Sequence, residues 1–409
     1  MNDPTMTAPL GRTKQAGPIT ALALIALSTF LSMSVWFSAS VVVPQLQDMW
    51  RLSSGASSLL TIAVQLGFVV GALTLAATGL ADAIPGRRLM CLGALTASVM
   101  NLILLWAPGF AVAVLLRALT GACLAAVYPP ALKEVSSWFR KGRGTALGVM
   151  IGALTLGSAT PQLVKATGGL EWRAVIIATS LLTAAGGLAT LLLRTSGPFP
   201  FPKSVFNLRA ALQASRSRRV VLANIGYAGH MWELYAMWAW IGTFLASLRG
   251  FTERPDGARQ AALAAFVCIG VGAAGCLAGG RISDRFGRAQ SALISLVCSG
   301  SAAAVLAFVR TLPLLVVLVV SAFWGFWVIA DSAQFSAMVT ENADQRYVGS
   351  AVSLQLGVGY LTTAVTIYLV PVLAESNSWT AALLVLALGP LAGIGALAAY
   401  LRSPAMQEA

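Results

Sequence analysis

"GGRISDRFGRA", residues 279–289, sets Arg281, Asp284, Arg285 and Arg288 among Gly279, Gly280 and Gly287, between an apolar run over 259–283 and another over 288–309. Each run has the roughly 20 apolar residues that cross a hydrocarbon core. A short, basic, glycine-punctuated interval between two such runs is a loop at a membrane surface.

The whole chain fits that setting. Its 409 residues are 57% hydrophobic and 10% charged, with a mean hydropathy of +0.80, far more apolar than a soluble domain. Apolar runs recur over 18–46, 56–81, 88–107, 109–133, 143–166, 172–194, 219–248, 259–283, 288–309, 312–339, 347–373 and 378–401, which predicts twelve spans. Pro129, Pro130, Pro161, Pro371 and Pro390 fall inside them and are tolerable where neighbouring helices satisfy the freed backbone groups. Arg12 and Lys14 precede the first run as in a secretory signal, but that run is too long for one and should remain a span. The termini and every second loop carry most of the 27 basic residues, so that side is expected to be the cytoplasm of a plasma (inner) membrane.

Composition also excludes function classes. The net charge of +13 is spread between apolar runs and not gathered on one face, so no nucleic-acid partner is expected. Cys91, Cys123, Cys268, Cys276 and Cys298 all lie inside runs without a CxxC pair, which argues against a disulfide framework or a zinc site. No zinc-protease or phosphate-loop motif occurs, and no metal, cofactor or catalytic residue is expected; the chain is read as not an enzyme.

The longest polar interval contains "GPFPFPKS" (197–204) and "VFNLRAALQASRSRR" (205–219). It divides the chain into an N-terminal unit, 1–198, a linker, 199–218, and a C-terminal unit, 219–409. Val205, Leu208 and Leu212 recur at helical spacing opposite Arg209 and Arg216, predicting an amphipathic helix on the basic membrane surface; a disordered linker is the alternative. Across the linker, "GRGTALGVMIGALTLGSA" (142–159) resembles "YVGSAVSLQLGVGYLTTA" (347–364), Trp172 and Trp379 open the last run of each unit, and Glu134 and Glu341 close the fourth. Six spans repeated in parallel is the plan of a rocking transporter with its binding site between the halves.

Through Gly280, Asp284, Arg285, Gly287 and Arg288, the opening segment resembles the loop signature of the major facilitator superfamily, Gly-x-x-x-Asp-Arg-x-Gly-Arg. "GLADAIPGRRLM" (79–90) is a degenerate copy in the first half, with Asp82, Gly86, Arg87 and Arg88. The resemblance implies an all-α membrane protein of twelve transmembrane helices in two pseudo-symmetric six-helix bundles, working as a monomer by alternating access. It also implies a cytoplasmic gate in which Asp82 meets Arg346 and Asp284 meets Arg143, with Arg285, Arg288, Glu134 and Glu341 nearby. "RALTGACLAA" (117–126) resembles the Arg-x-x-x-Gly motif of proton-coupled drug exporters, but Ala153 and Leu156 depart from their fifth-span signature. "WFRKGRGTALG" (138–148) resembles members that carry organic anions and sugar acids.

Four ionisable residues are read within the runs: Arg117, His230, Glu233 and Asp331. Each costs roughly 2.5 to 3.5 kcal/mol at a helix centre, so a protein-lined path is the default reading. They fall in spans four, seven and ten, which the resemblance places around a central cavity. Helical spacing puts Met237 and Trp240 with His230 and Glu233, Trp324, Trp327 and Gln334 with Asp331, and Thr120 and Tyr128 with Arg117. Ser32, Trp36 and Ser40 in span one, and Gln355 and Thr362 in span eleven, add polar and aromatic lining. Glu233, His230 and Asp331 are read as proton-coupling groups, because removal from water penalises a charged carboxylate and histidine titrates near neutrality. Arg117, Trp36, Tyr128, Trp240, Trp324, Trp327 and Gln355 are read as substrate contacts, with a lean to an anion through Arg117. A histidine–glutamate pair that merely ties span seven to a neighbour is the structural alternative. The functional alternatives are a drug/proton antiporter and a non-transporting membrane sensor or enzyme.

Overall fold

The computed structural model describes residues 17–140, 142–168, 171–193, 195–199, 212–213, 215–344, 347–377 and 379–403, with the backbone alone at 81–82, 143, 168 and 376–377. The described residues of the first half form α1 (Pro18–Met33), α2 (Ser38–Val41), α3 (Val43–Trp50), α4 (Ser54–Thr78), α5 (Leu80–Ala83), α6 (Gly86–Ile103), α7 (Phe110–Leu124), α8 (Tyr128–Trp138), α9 (Arg143–Gly168) and α10 (Trp172–Ala189). The second half forms α11 (Arg218–Ala246), α12 (Arg249–Thr252), α13 (Gly257–Gly270), α14 (Gly272–Phe286), α15 (Arg288–Val309), α16 (Leu314–Trp327), α17 (Ser332–Asn342), α18 (Val348–Asn377) and α19 (Trp379–Arg402). The linker's expected amphipathic helix lies largely outside the described residues.

Among the described residues, ten helical stretches are long and apolar enough to cross a membrane. Two expected spans stand apart for physical reasons. The first is interrupted after the 16 residues of α1. The seventh, α11, is 29 residues long, but Asn224, His230 and Glu233 lower its hydropathy.

Several runs expected as single helices are broken near their middle. The first breaks between α1 and α2, the fourth between α7 and α8, the eighth at Val271 and the tenth between α16 and α17. At the fourth, Pro129 and Pro130 enter the first turn of α8, where backbone N–H groups have no intrahelical partner anyway. Pro161, Pro371 and Pro390 leave their helices unbroken. The fourth and tenth breaks are counterparts, since α8 and α17 both run for 11 residues beyond them. A second correspondence lies in the packing. Gly121 of α7 meets the backbone of Val64 on α4, and Gly325 of α16 meets the backbone of Cys268 on α13; a side chain at either glycine would collide with a carbonyl. Gly287, in the opening loop, has φ 91°, a conformation that lets α14 turn directly into α15.

The halves meet along α4 against α18 and α9 against α13 and α14. Near the start of α4, a Cβ on Gly55 would lie 2.9 Å from the Tyr368 ring. Towards the middle, Trp36 and Phe68 of the first half pack on Tyr235 and Tyr360 of the second, with ring centroids 5.0 to 6.1 Å apart. One buried cluster runs through this junction into the second half, and two smaller ones fill the ends of the first.

Candidate functional site

His230 and Glu233 share one face of the unbroken α11, and that face lies against the break in the tenth span. His230 Nδ1 is 2.8 Å from Oδ1 of Asp331, the residue that opens α17. The approach is close but lies off the line of an N–H···O bond, and His230 Nε2 has no protein partner. Although Asp331 occupies the N-cap position, its carboxylate turns towards the histidine and does not cap α17. One turn along α11, Glu233 Oε1 accepts from Trp324 Nε1 at 2.7 Å and Oε2 from Ser299 Oγ at 2.8 Å. Trp324 is in the last turn of α16, so the two ionisable residues of α11 hold the two pieces of the broken span separately. All three ionisable groups are 1% exposed.

The aromatic shell on the histidine side is Tyr227, whose ring stacks on His230 at 5.9 Å, and Phe335 at 5.7 Å. Gln355, 1% exposed, donates weakly to the Phe335 carbonyl at 3.5 Å, and its own carbonyl oxygen has no protein partner. Thr362 instead bonds the carbonyl of Val358 in its own helix.

Arg117 is 0% exposed, and its guanidinium is spread over neutral oxygens. Nη1 donates to the Val35 carbonyl (3.2 Å), Ser38 Oγ (3.1 Å) and Asn101 Oδ1 (2.8 Å), Nη2 to the Trp36 carbonyl (2.6 Å), and Nε to the Leu60 carbonyl (3.4 Å). Val35 and Trp36 belong to the break after α1, where the Val35 carbonyl keeps a turn bond from the Ser38 N–H at 3.3 Å and the Trp36 carbonyl is left to the guanidinium. A planar, always-charged donor fork suits several such acceptors at once. Arg117 therefore closes the first-span break and points none of its donors at open space. Thr120 bonds the Leu116 carbonyl, and Tyr128 lies beyond the fourth-span break, off the face of Arg117 that an uninterrupted helix predicts.

The remaining candidates divide. Trp36, 1% exposed, joins the inter-half aromatic cluster, and Ser40 bonds Thr61 at 2.6 Å. Ser32 Oγ is buried without a partner. Trp240 donates to the Ile367 carbonyl at 3.0 Å, inside the second half. Trp324 and Trp327, expected on one face, part company: Trp324 turns inward to Glu233, while Trp327 packs on Phe326 and on Phe323, itself 46% exposed.

At the basic end, Arg288 reaches Glu341 of its own half at 3.4 Å and donates to Ser283 Oγ at 3.0 Å and Gln334 at 3.4 Å. Glu134 sits correspondingly beside Gly86 and Arg87. Asp284 and Arg285 are exposed, Arg285 resting over Phe286. Arg346 and the side chains of Asp82 and Arg143 lie outside the described residues, and so therefore do both expected gate pairs.

Periodicity missed two groups. Lys165, near the end of α9, donates from Nζ to the Val41 carbonyl of α2 at 3.1 Å. It stands at the apparent edge of an apolar run, and only the length of α9 draws it inside. Ser299 was one serine among several in its run, and nothing in the chain marked it as a partner of Glu233.

The fold and packing have counterparts among solved proteins. Crystal structures of a bacterial homologue of the human lysosomal transporter Spinster superpose with TM-scores of 0.66 (inward-facing, unoccupied) and 0.67 (inward-facing, occupied), at 17% and 15% identity. The first alignment covers 96% of both chains, the second 95% of this chain and 97% of the other. A point mutant of the nucleoside transporter NupG superposes with a TM-score of 0.71 at 14% identity, covering 93% of this chain and 99% of that one. No curated protein matches the sequence. A family profile described as the Major Facilitator Superfamily matches residues 25–362. With that match, the repeat and the paired helix breaks, the chain belongs to the Major Facilitator Superfamily of membrane transporters.

Proposed function

We propose that this secondary transporter is proton-coupled and moves a small organic solute, with the coupling seated in the second half. The observation that carries this reading is the two-point hold of α11 on the broken tenth span: His230 on Asp331 beyond the break and Glu233 on Trp324 before it. A proton arriving on any of these three groups changes the contact on one side of the break and leaves the other, so the angle between α16 and α17 responds to protonation. Coupling needs such differential contacts in two states. The antiporter alternative, in which the carboxylates bind a lipophilic cation, is weakened by the same geometry, because both Glu233 oxygens already accept hydrogen bonds from protein groups.

In this reading the carrier lies in the plasma membrane as a monomer with both termini cytoplasmic. Asp82 with Arg346 and Asp284 with Arg143 close the cytoplasmic gate while the outer side is open. Purified protein in vesicles, with and without an imposed pH gradient, tests the coupling. Glu233→Gln is expected to lose gradient-driven accumulation while retaining solute exchange, since a permanently neutral side chain still passes through the cycle. Full gradient-driven accumulation in that variant removes Glu233 from the coupling.

A further inference from the structure

The proton groups leave unused a junction rich in hydrogen-bond donors. Lys165 Nζ has three N–H groups and reaches one protein acceptor, the Val41 carbonyl. One turn away on α9, Gln162 is 3% exposed and packs its amide on Gly242 of α11. Deeper along the same convergence of the first span, α9 and α11, the indole N–H groups of Trp36 and Trp238 have no acceptor, although both residues are 1% exposed. Phe37 packs the first span on α11 here, its ring 6.0 Å from Trp238 and 5.9 Å from Tyr235.

Indole and ammonium groups only donate, and buried donors left unpaired are costly. The Val35 and Trp36 carbonyls are engaged by Arg117, and the Glu233 oxygens by Trp324 and Ser299. An ionisable side chain within a span is a functional group by default.

We propose that the junction of α2, α9 and α11 receives the carboxylate head of an organic anion, with Lys165 as its charge partner, the Trp36 and Trp238 N–H groups as donors, and the surrounding rings against its apolar body. The proposal rests on the carrier reading and names its substrate class. It moves the anion lean from Arg117, which is committed to the first-span break, to Lys165. One proton on the second half together with one bound anion adds no net charge to the loaded carrier.

The test uses purified full-length protein in detergent, without a gradient, and follows thermal unfolding with lactate, gluconate or benzoate, against tetraphenylphosphonium. A ligand that binds only the folded state raises the Tm with concentration. At least one carboxylate is expected to stabilise the parent. Lys165→Gln should raise its apparent Kd about tenfold or more, the loss that follows removal of a charge-assisted bond. Lys165→Arg should recover most of the affinity, and Trp238→Phe, which keeps the ring but loses the N–H, should weaken it severalfold. Absence of carboxylate-dependent stabilisation, or parent-like affinity in folded Lys165→Gln, overturns the proposal. Because binding is read without a gradient, these outcomes are independent of the accumulation assay that tests Glu233.

Discussion

In the first half, the break after α1 is held from α7 by Arg117, whose partners are all neutral oxygens; in the second, the break before α17 is held from α11 by His230 and Glu233, whose partners are Asp331, Trp324 and Ser299. Spans one and four thus mirror seven and ten in position but exchange roles, since the helix that holds the break is the fourth span in one half and the seventh in the other. The chemistry differs as well. A guanidinium stays protonated under all ordinary conditions, so its hold on carbonyls does not vary. Carboxylates and an imidazole have both a protonated and a deprotonated form with different hydrogen-bonding capacity, so their contacts can vary. In the proposed reading, one half keeps its break and the other lets it respond.

The largest effect is expected at Arg117. Arg117→Met leaves the buried Trp36 carbonyl without a donor, at about 1 to 3 kcal/mol before relaxation, and removes four further bonds at once, so the purified protein should unfold at a markedly lower temperature and lose transport at every pH. Arg117→Lys should recover only part, because one ammonium cannot span the same acceptors. A lysine variant with parental stability and rate would break the contrast between a fixed hold and a responsive one.

Next comes the histidine pair. His230→Ala leaves Asp331 buried without its neighbour and should lower the unfolding temperature. Asp331→Asn alone should cost less, and the double variant less than the sum of the two, as measured by unfolding in a double-mutant cycle. Both singles should alter the pH profile of transport, which an inert packing pair would not do. Additive effects with an unchanged pH profile would return His230 to a structural role.

Trp324→Phe sharpens the comparison on the glutamate side. It keeps most of the buried ring and removes the N–H held by Glu233 Oε1, so stability should fall by about 1.5 to 3 kcal/mol, the range for a hydrogen bond to a charged group. The pH profile of exchange should shift while exchange itself persists. A shift equal to that of Glu233→Gln would place both residues in one unit.

The smallest effect is expected at the basic end. Arg288 and Glu341 are 36% and 53% exposed, and such a pair contributes under about 1 kcal/mol. Glu341→Gln should leave unfolding nearly unchanged. Any larger loss would mean that the surface contacts, and not the two buried holds, organise the halves.

Composition, hydropathy and the repeat were enough to read an all-helical membrane transporter in two halves, because lipid forces long apolar helices and duplication leaves matching punctuation in both copies. The ionisable positions in spans four, seven and ten were legible too, since each is conspicuous in an apolar run. Their partners were not. Arg117 appears from spacing as a cavity residue beside Tyr128, and Trp324 and Trp327 as neighbours on one face, because helical periodicity assumes an unbroken helix. Where the chain breaks at Val35 and Trp36, or between Trp327 and Ser332, faces are reassigned and freed carbonyls must find donors on other helices. Such pairings join residues far apart in sequence, as Glu233 joins Ser299, and only the packed arrangement of helices decides them.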